Sequence, residues 1–230
     1  MPLVRYELSP VDGGAVATLT MDDGKVNVMS LAMQGELRAA LDRAAADEAV
    51  VLITGREGVL SAGFDLPVLR RRDDEAAAMV RGGFELSARL LGFPSPVVIA
   101  CPGHAIAMGL FLLLSADYRI GAAGPAKLVA NEVAIGLPLP SVALEILRHR
   151  LIPSALGRAS MLAEPFGPAN AVEAGILDRV VAPDELVPTA TGIATALAGL
   201  DRTAHTETKR RLREPVIAAM RAAMSADGIS

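Results

Sequence analysis

Pro102-Gly103-His104-Ala105-Ile106-Ala107-Met108-Gly109-Leu110 is the stretch on which the reading of this chain turns. It follows the apolar run Val97-Val98-Ile99-Ala100-Cys101, which reads as a buried strand ended by the Pro102-Gly103 turn. An apolar helix is expected to begin directly after that turn. The first N–H groups of such a helix lack intrahelical partners, and its dipole favours negative charge there. A second stretch, Leu60-Ser61-Ala62-Gly63-Phe64-Asp65-Leu66, has the same order of strand, loop and helix. Small residues at Ala62 and Gly63 let a ligand approach the backbone closely. Amides converging from two such turns would stabilise an oxygen that gains negative charge, such as the enolate oxygen of a thioester.

Outward from these turns the chain alternates strands with helices. Residues 15–21 alternate in a strand-like way and lead into the turn Asp22-Asp23-Gly24. From Ser30, a candidate N-cap, Met33, Leu37, Leu41 and Ala44 recur at helical spacing. Val50-Val51-Leu52-Ile53-Thr54 is a short buried strand, residues 73–91 form a second helix, and Pro94-Ser95-Pro96 breaks it off. Residues 118–122 and 127–130 read as later strands, and the pattern beyond Leu139 is almost entirely helical. Repeated strand-turn-helix units followed by helices indicate an α/β domain with a helical C-terminal part.

Composition narrows the function. The 230 residues are 52% hydrophobic but only 3% aromatic, with no Trp, so small aliphatic side chains must fill the core. A net charge of −4 argues against a nucleic-acid partner, which rewards a dense basic face. Two local basic clusters, Arg70-Arg71-Arg72 and Lys209-Arg210-Arg211 with Arg213, are read as solvated helix faces, with a phosphorylated ligand as the alternative. The single Cys101 permits no intrachain disulfide and is read as a small buried hydrophobe. The start of the chain lacks a secretory pattern, and the longest apolar stretch, residues 105–114, is half the roughly twenty residues that a membrane span needs. A soluble, cytoplasmic protein is expected. The three histidines have no metal-ligand spacing, so no metal is expected.

Taken together, the motifs resemble the crotonase, or enoyl-CoA hydratase/isomerase, superfamily. Ala62, Gly63, Asp65 and Leu66 are similar to its A-G-x-D-[LI] loop, and residues 103–109 to its G-x-A-x-G-G-G helix start. Asp117-Tyr118-Arg119-Ile120, Asn131-Glu132-Val133-Ala134-Ile135-Gly136, the Ala174-Gly175-Ile176-Leu177-Asp178-Arg179-Val180-Val181 segment and Lys25-Val26-Asn27-Val28-Met29-Ser30 match in order along the chain. The resemblance implies a ββα spiral core over residues 1–182 and a helical oligomerisation region over 183–230. It also implies an acyl-CoA thioester as substrate, with coenzyme A as part of that substrate and no separate cofactor, and a homotrimer or homohexamer. The oxyanion donors would be the backbone N–H groups of Ala62 and Met108, the latter standing where most relatives carry Gly. Lys25, Val26, Ala62, Gly63, Phe64, Asp65 and Leu66 would line the coenzyme cleft.

The acid/base residues distinguish the reactions. Family hydratases use two glutamates; the first belongs three residues after the second donor, where this chain has Phe111. The second is present as Glu132. A one-glutamate site resembles the Δ3,Δ2-enoyl-CoA isomerases, in which one carboxylate takes a proton from C2 and returns it at C4. Such a base needs a dry pocket that raises its pKa, and Met108, Leu110, Phe111 and Leu137 are expected to supply it. An enoyl-CoA hydratase, with another acid such as Glu145, and a catalytically weak CoA-thioester binder are the alternatives. Asp117 is read as structural, Asp65 as a helix cap, His104 as a hydrogen-bonded neighbour of the second loop, and Glu145 with His149 as a surface pair four residues apart.

Overall fold

The alternating stretch near the start of the chain is one arm of a hairpin, in which β1 (Val4–Val11) pairs antiparallel with β2 (Gly14–Met21). Ser30 then caps α1 (Leu31–Ala46), its side chain accepting from the Met33 N–H. Met33, Leu37, Leu41 and Ala44 are buried at the spacing the sequence predicts. After α1 the chain repeats one unit: a buried strand joins a large sheet, a shorter strand joins a small sheet, and a helix returns. The first unit is β3 (Val50–Thr54), β4 (Gly58–Ser61), α2 (Leu66–Arg71) and α3 (Asp74–Leu91). The second is β5 (Val97–Cys101), β6 (Gly103–Ile106) and α4 (Met108–Leu114). The third is β7 (Tyr118–Ala122), β8 (Leu128–Val129), a 3-10 turn at Val133–Ile135 and α5 (Ser141–Arg150). The chain continues through α6 (Pro153–Met161), α7 (Pro168–Ala171), β9 (Arg179–Val181), α8 (Leu186–Ala198) and α9 (Arg202–Ala226). This computed structural model describes residues 2–229.

The large sheet has the order β1-β2-β3-β5-β7-β9, parallel from β2 onward, and the small sheet has the order β4-β6-β8, parallel throughout. The architecture is the ββα spiral with helical C-terminal elements that the resemblance implies. The large sheet is covered on both faces, which is why β3 and β5 are continuous apolar runs. Val51, Ile53, Val97 and Ile99 point into the main core with α1, α3 and α4 residues, while Val50, Leu52, Val98 and Ala100 pack against Leu186, Ala190 and Ala194 of α8. Among the described residues no helix is long and apolar enough to cross a membrane.

The structure departs from the sequence reading in three places. A strand, β6, intervenes between the Pro102-Gly103 turn and the apolar helix, which starts only at Met108. Gly103 permits this pairing: a Cβ there would lie 1.9 Å from the Gly58 carbonyl oxygen. Four residues are too few to show a period. The stretch beyond Leu139 also contains β9, set against β7 by Asp178, whose carboxylate accepts from the Arg119 backbone N–H and guanidinium. Finally, the basic run in α9 is two faces. Arg210 and Arg211 are exposed and paired with Glu207, and Arg210 also with Glu214. Lys209 and Arg213 are buried and face Asp117. Asp117, which also accepts from the Val97 N–H, therefore ties β5 to α9.

Candidate functional site

Three strands of the small sheet run parallel, so their C-terminal ends open on one edge. β4 leads into residues 62–65, β6 into Ala107 and Met108, and β8 into residues 130–132. The Ala107 N–H donates to the Val129 carbonyl at 2.8 Å, which holds the second and third of these segments together. Gly63, at φ +87°, brings the first against the second: a Cβ there would lie 2.8 Å from the Ile106 carbonyl oxygen and 3.4 Å from the Met108 nitrogen. Loops at the carboxyl ends of parallel strands are where α/β folds place ligands.

The Met108 N–H heads α4 and has no protein acceptor among the described residues. The turn that aims it is strained. Ala107 sits at φ +49° and ψ −119°, a left-handed φ that a residue with a Cβ rarely adopts and that costs about 1–3 kcal/mol. The expected partner donor, the Ala62 N–H, is not free. It donates to the Val26 carbonyl at 2.9 Å, as part of a short ladder in which the Met29 N–H also donates to Gly63 O at 2.8 Å. Next along the loop, the Gly63 N–H donates to Ser61 Oγ at 3.2 Å. The first amide of this loop without an acceptor among the described residues is that of Phe64. The Ala62 N–H, the donor that the resemblance implies, is thus engaged within the protein, and the Phe64 N–H is open in its stead. Asp65 follows as the N-cap of α2, accepting from the Val68 N–H at 3.3 Å.

Apolar packing surrounds the two free amides. The Phe64 ring meets Phe84 edge-on at 6.3 Å, and Phe84 meets Phe111 at 6.0 Å. Gly83 in α3 makes room for this, since a Cβ there would lie 2.6 Å from the Phe64 ring and 3.0 Å from Met108 Sδ. Met108 and Phe111 are fully buried, and Leu137 is half-buried. Lys25, Val26 and Leu66 remain exposed on the outer side of the same loops.

Glu132 precedes the 3-10 turn that Gly136 closes at φ +79°. Its Oε2 is shielded from solvent and has no hydrogen-bond partner among the described residues. Burial pushes the carboxyl up to about 7, against an ordinary 4.5, although its own backbone N–H pulls the other way. A carboxyl at this pKa is well placed to exchange protons near neutral pH.

His104 Nδ1 accepts from the Lys127 N–H at 3.0 Å. Cys101 is buried, with its thiol pushed up to about 12 by desolvation. Glu145 pairs with Arg148, and His149 lies against Arg213 instead, its pKa lowered to about 4 by burial and by neighbouring arginines. The expected Glu145–His149 pair does not form. Arg70, Arg71 and Arg72 are exposed, and Arg71 pairs with Asp73 and Glu75.

Comparison with known proteins adds to this geometry. The family model described as enoyl-CoA hydratase/isomerase matches residues 12–228. The human mitochondrial enoyl-CoA delta isomerase 1 is 30% identical over 215 residues, covering 91% of this chain and 71% of that protein. A solved apo structure of an Mtb enoyl-CoA isomerase superposes with a TM-score of 0.92 at 45% identity, covering 99% of this chain and 97% of that one. An enoyl-CoA hydratase structure from Mycobacterium marinum superposes equally, at 0.92 and 46% identity, with the same coverage of both chains.

Proposed function

The chain belongs to the enoyl-CoA hydratase/isomerase family, the crotonase superfamily of enzymes, and from that premise we propose that it is a Δ3,Δ2-enoyl-CoA isomerase with Glu132 as its single base. The observation that carries this reading is the Glu132 carboxyl, buried, without a partner at Oε2 among the described residues, and poised near neutral pH. As carboxylate it takes a proton from C2 of a 3-enoyl thioester. The electrons move to the thioester oxygen, giving a dienolate, and the Phe64 and Met108 N–H groups stabilise that oxygen. The carboxylic acid then returns the proton at C4, leaving the double bond in conjugation at C2. Each donor of such a pair is worth about 3–4 kcal/mol to the transition state.

Phe111 supports isomerisation over hydration. The resemblance gives its position to the first hydratase glutamate, and here it is a phenyl ring packed on Phe84. A ring there cannot orient water, and a dry pocket protects the dienolate. Lys25, Val26 and Leu66, with residues 62–65, form the coenzyme side of the cleft in this reading. The reaction calls on no cofactor apart from the coenzyme A of the substrate, and the working assembly is a homotrimer or a pair of trimers.

The test is a pair of substrates followed by the absorbance of the conjugated thioester. Formation of conjugated product from a 3-enoyl-CoA is the expected result. Hydratase names among the relatives favour consumption of a 2-enoyl-CoA instead; that turnover without isomerisation ends the isomerase reading. A mere binder changes neither substrate, although coenzyme A raises its melting temperature.

A further inference from the structure

Ser61 is fully buried and uses its hydroxyl entirely within the protein. Its Oγ donates to the Asn27 carbonyl at 2.6 Å and accepts from the Gly63 N–H at 3.2 Å. Asn27 is itself fully buried, held at φ +54°, with Nδ2 donating to Met21 O at 3.0 Å and to Leu60 O at 3.2 Å. Leu60 is where the β4–β6 register breaks: Val59 pairs with His104, and Ser61 with the next residue, Ala105. One extra residue in a strand bends it and re-aims the residues after it. Here Asn27 takes up the carbonyl of the extra residue, and Ser61 takes up the amide that the bent loop turns inward.

Ser61 also touches the other donor element. A Cβ on Gly109 would lie 2.4 Å from Ser61 O and 2.9 Å from its Cβ, so the first turn of α4 rests directly on this residue. Ser61 thus stands between the Phe64 and Met108 amides, joined to one by a hydrogen bond through Gly63 and to the other by backbone contact through Gly109. We propose that Ser61, held in place by Asn27, is a positioning residue that sets the spacing and aim of the two oxyanion amides. The inference rests on the oxyanion reading of those amides. Without Oγ, the Gly63 N–H loses its acceptor, so the Ala62–Gly63 peptide can tilt about the glycine, and the Gly63–Phe64 peptide keeps only the Met29 N–H on its carbonyl to hold its aim. A shift of about 1 Å in such a donor is enough to cost up to about 100-fold in rate.

The experiment uses full-length protein and butyryl-CoA carrying 13C at the thioester carbonyl, a saturated probe with no double bond to move or hydrate. Isotope-edited infrared spectra of the bound probe report how strongly the two amides polarise its carbonyl. Wild type is expected to shift the stretch to lower frequency. Ser61→Ala is expected to lose at least half of that shift, while its affinity for the probe stays within about threefold. With a 3-enoyl-CoA, its kcat falls at least about tenfold and its KM stays within about threefold. Ser61→Cys, which keeps a weak donor at the same position, is expected to fall between the two and guards against a folding defect in Ser61→Ala. A full carbonyl shift in Ser61→Ala, even with a lowered melting temperature, makes the residue merely structural and overturns the inference alone. No shift in wild type overturns the oxyanion reading and the inference with it.

Discussion

Replacing Glu132 with Gln is expected to make the protein more stable and inactive in one step. Burial holds the carboxyl at about 7 in the folded chain, against an ordinary 4.5. The folded state therefore binds this proton more tightly than the unfolded state does. Its favourable contribution is complete below pH 4.5 and is lost as pH rises through 7. At about 1.4 kcal/mol for each tenfold difference in proton affinity, the stability missing at pH 8 is about 3 kcal/mol. Gln is isosteric and cannot ionise, so the variant keeps what wild type loses. Urea unfolding of both proteins at pH 5 and pH 8 measures this. The variant's advantage should be below about 1 kcal/mol at pH 5 and about 3 kcal/mol at pH 8. The latter corresponds to roughly 6–12 °C in melting temperature for a chain of this size. Isomerisation should fall by at least about 100-fold while the acyl-CoA still binds. An advantage that does not grow with pH would mean that the carboxyl is solvated in the folded protein, and retained turnover would take the proton transfer away from it.

Three further outcomes rest on the same geometry. The value of kcat/KM should rise with pH to half its plateau near pH 7, because the base acts as carboxylate; a flat or falling profile across that range contradicts the assignment. Ala107→Gly should stabilise the protein by about 1 kcal/mol in urea titrations, since glycine accepts φ +49° without strain, and a loss of stability would show that the methyl group contributes more by packing than it costs. Asp117→Asn should destabilise by about 3–5 kcal/mol, because it leaves Lys209 and Arg213 buried without their carboxylate, and an unchanged urea midpoint would show that those cations find other partners.

Much of the fold was legible because its signals are local. The Ser30 cap and the spacing of Met33, Leu37, Leu41 and Ala44 specify α1 from neighbours along the chain. Short buried runs rich in Val and Ile mark β3 and β5 as strands covered on both sides. The loops after β4 and β6 were visible as small residues between a strand and a helix, and Phe111 was visible as a side chain unable to activate water. The short strand β6 was not legible. It depends on backbone contact, that of Gly103 on Gly58, and four residues carry no period.

The sequence by itself determined the order of elements, the family, and the choice of Glu132 as a lone candidate base. Only the tertiary structure decided which amides are free. Ala62 and Phe64 look alike as backbone donors along the chain, and the difference is that Val26 O comes from a distant segment to take the Ala62 N–H. It also decided that Lys209 and Arg213 turn inward while Arg210 and Arg211 stay in water, because Asp117 waits on only one face of α9. A residue type states what a group can donate, accept or ionise. Whether it does so depends on partners and solvent brought by other parts of the chain, and those are properties of the folded molecule.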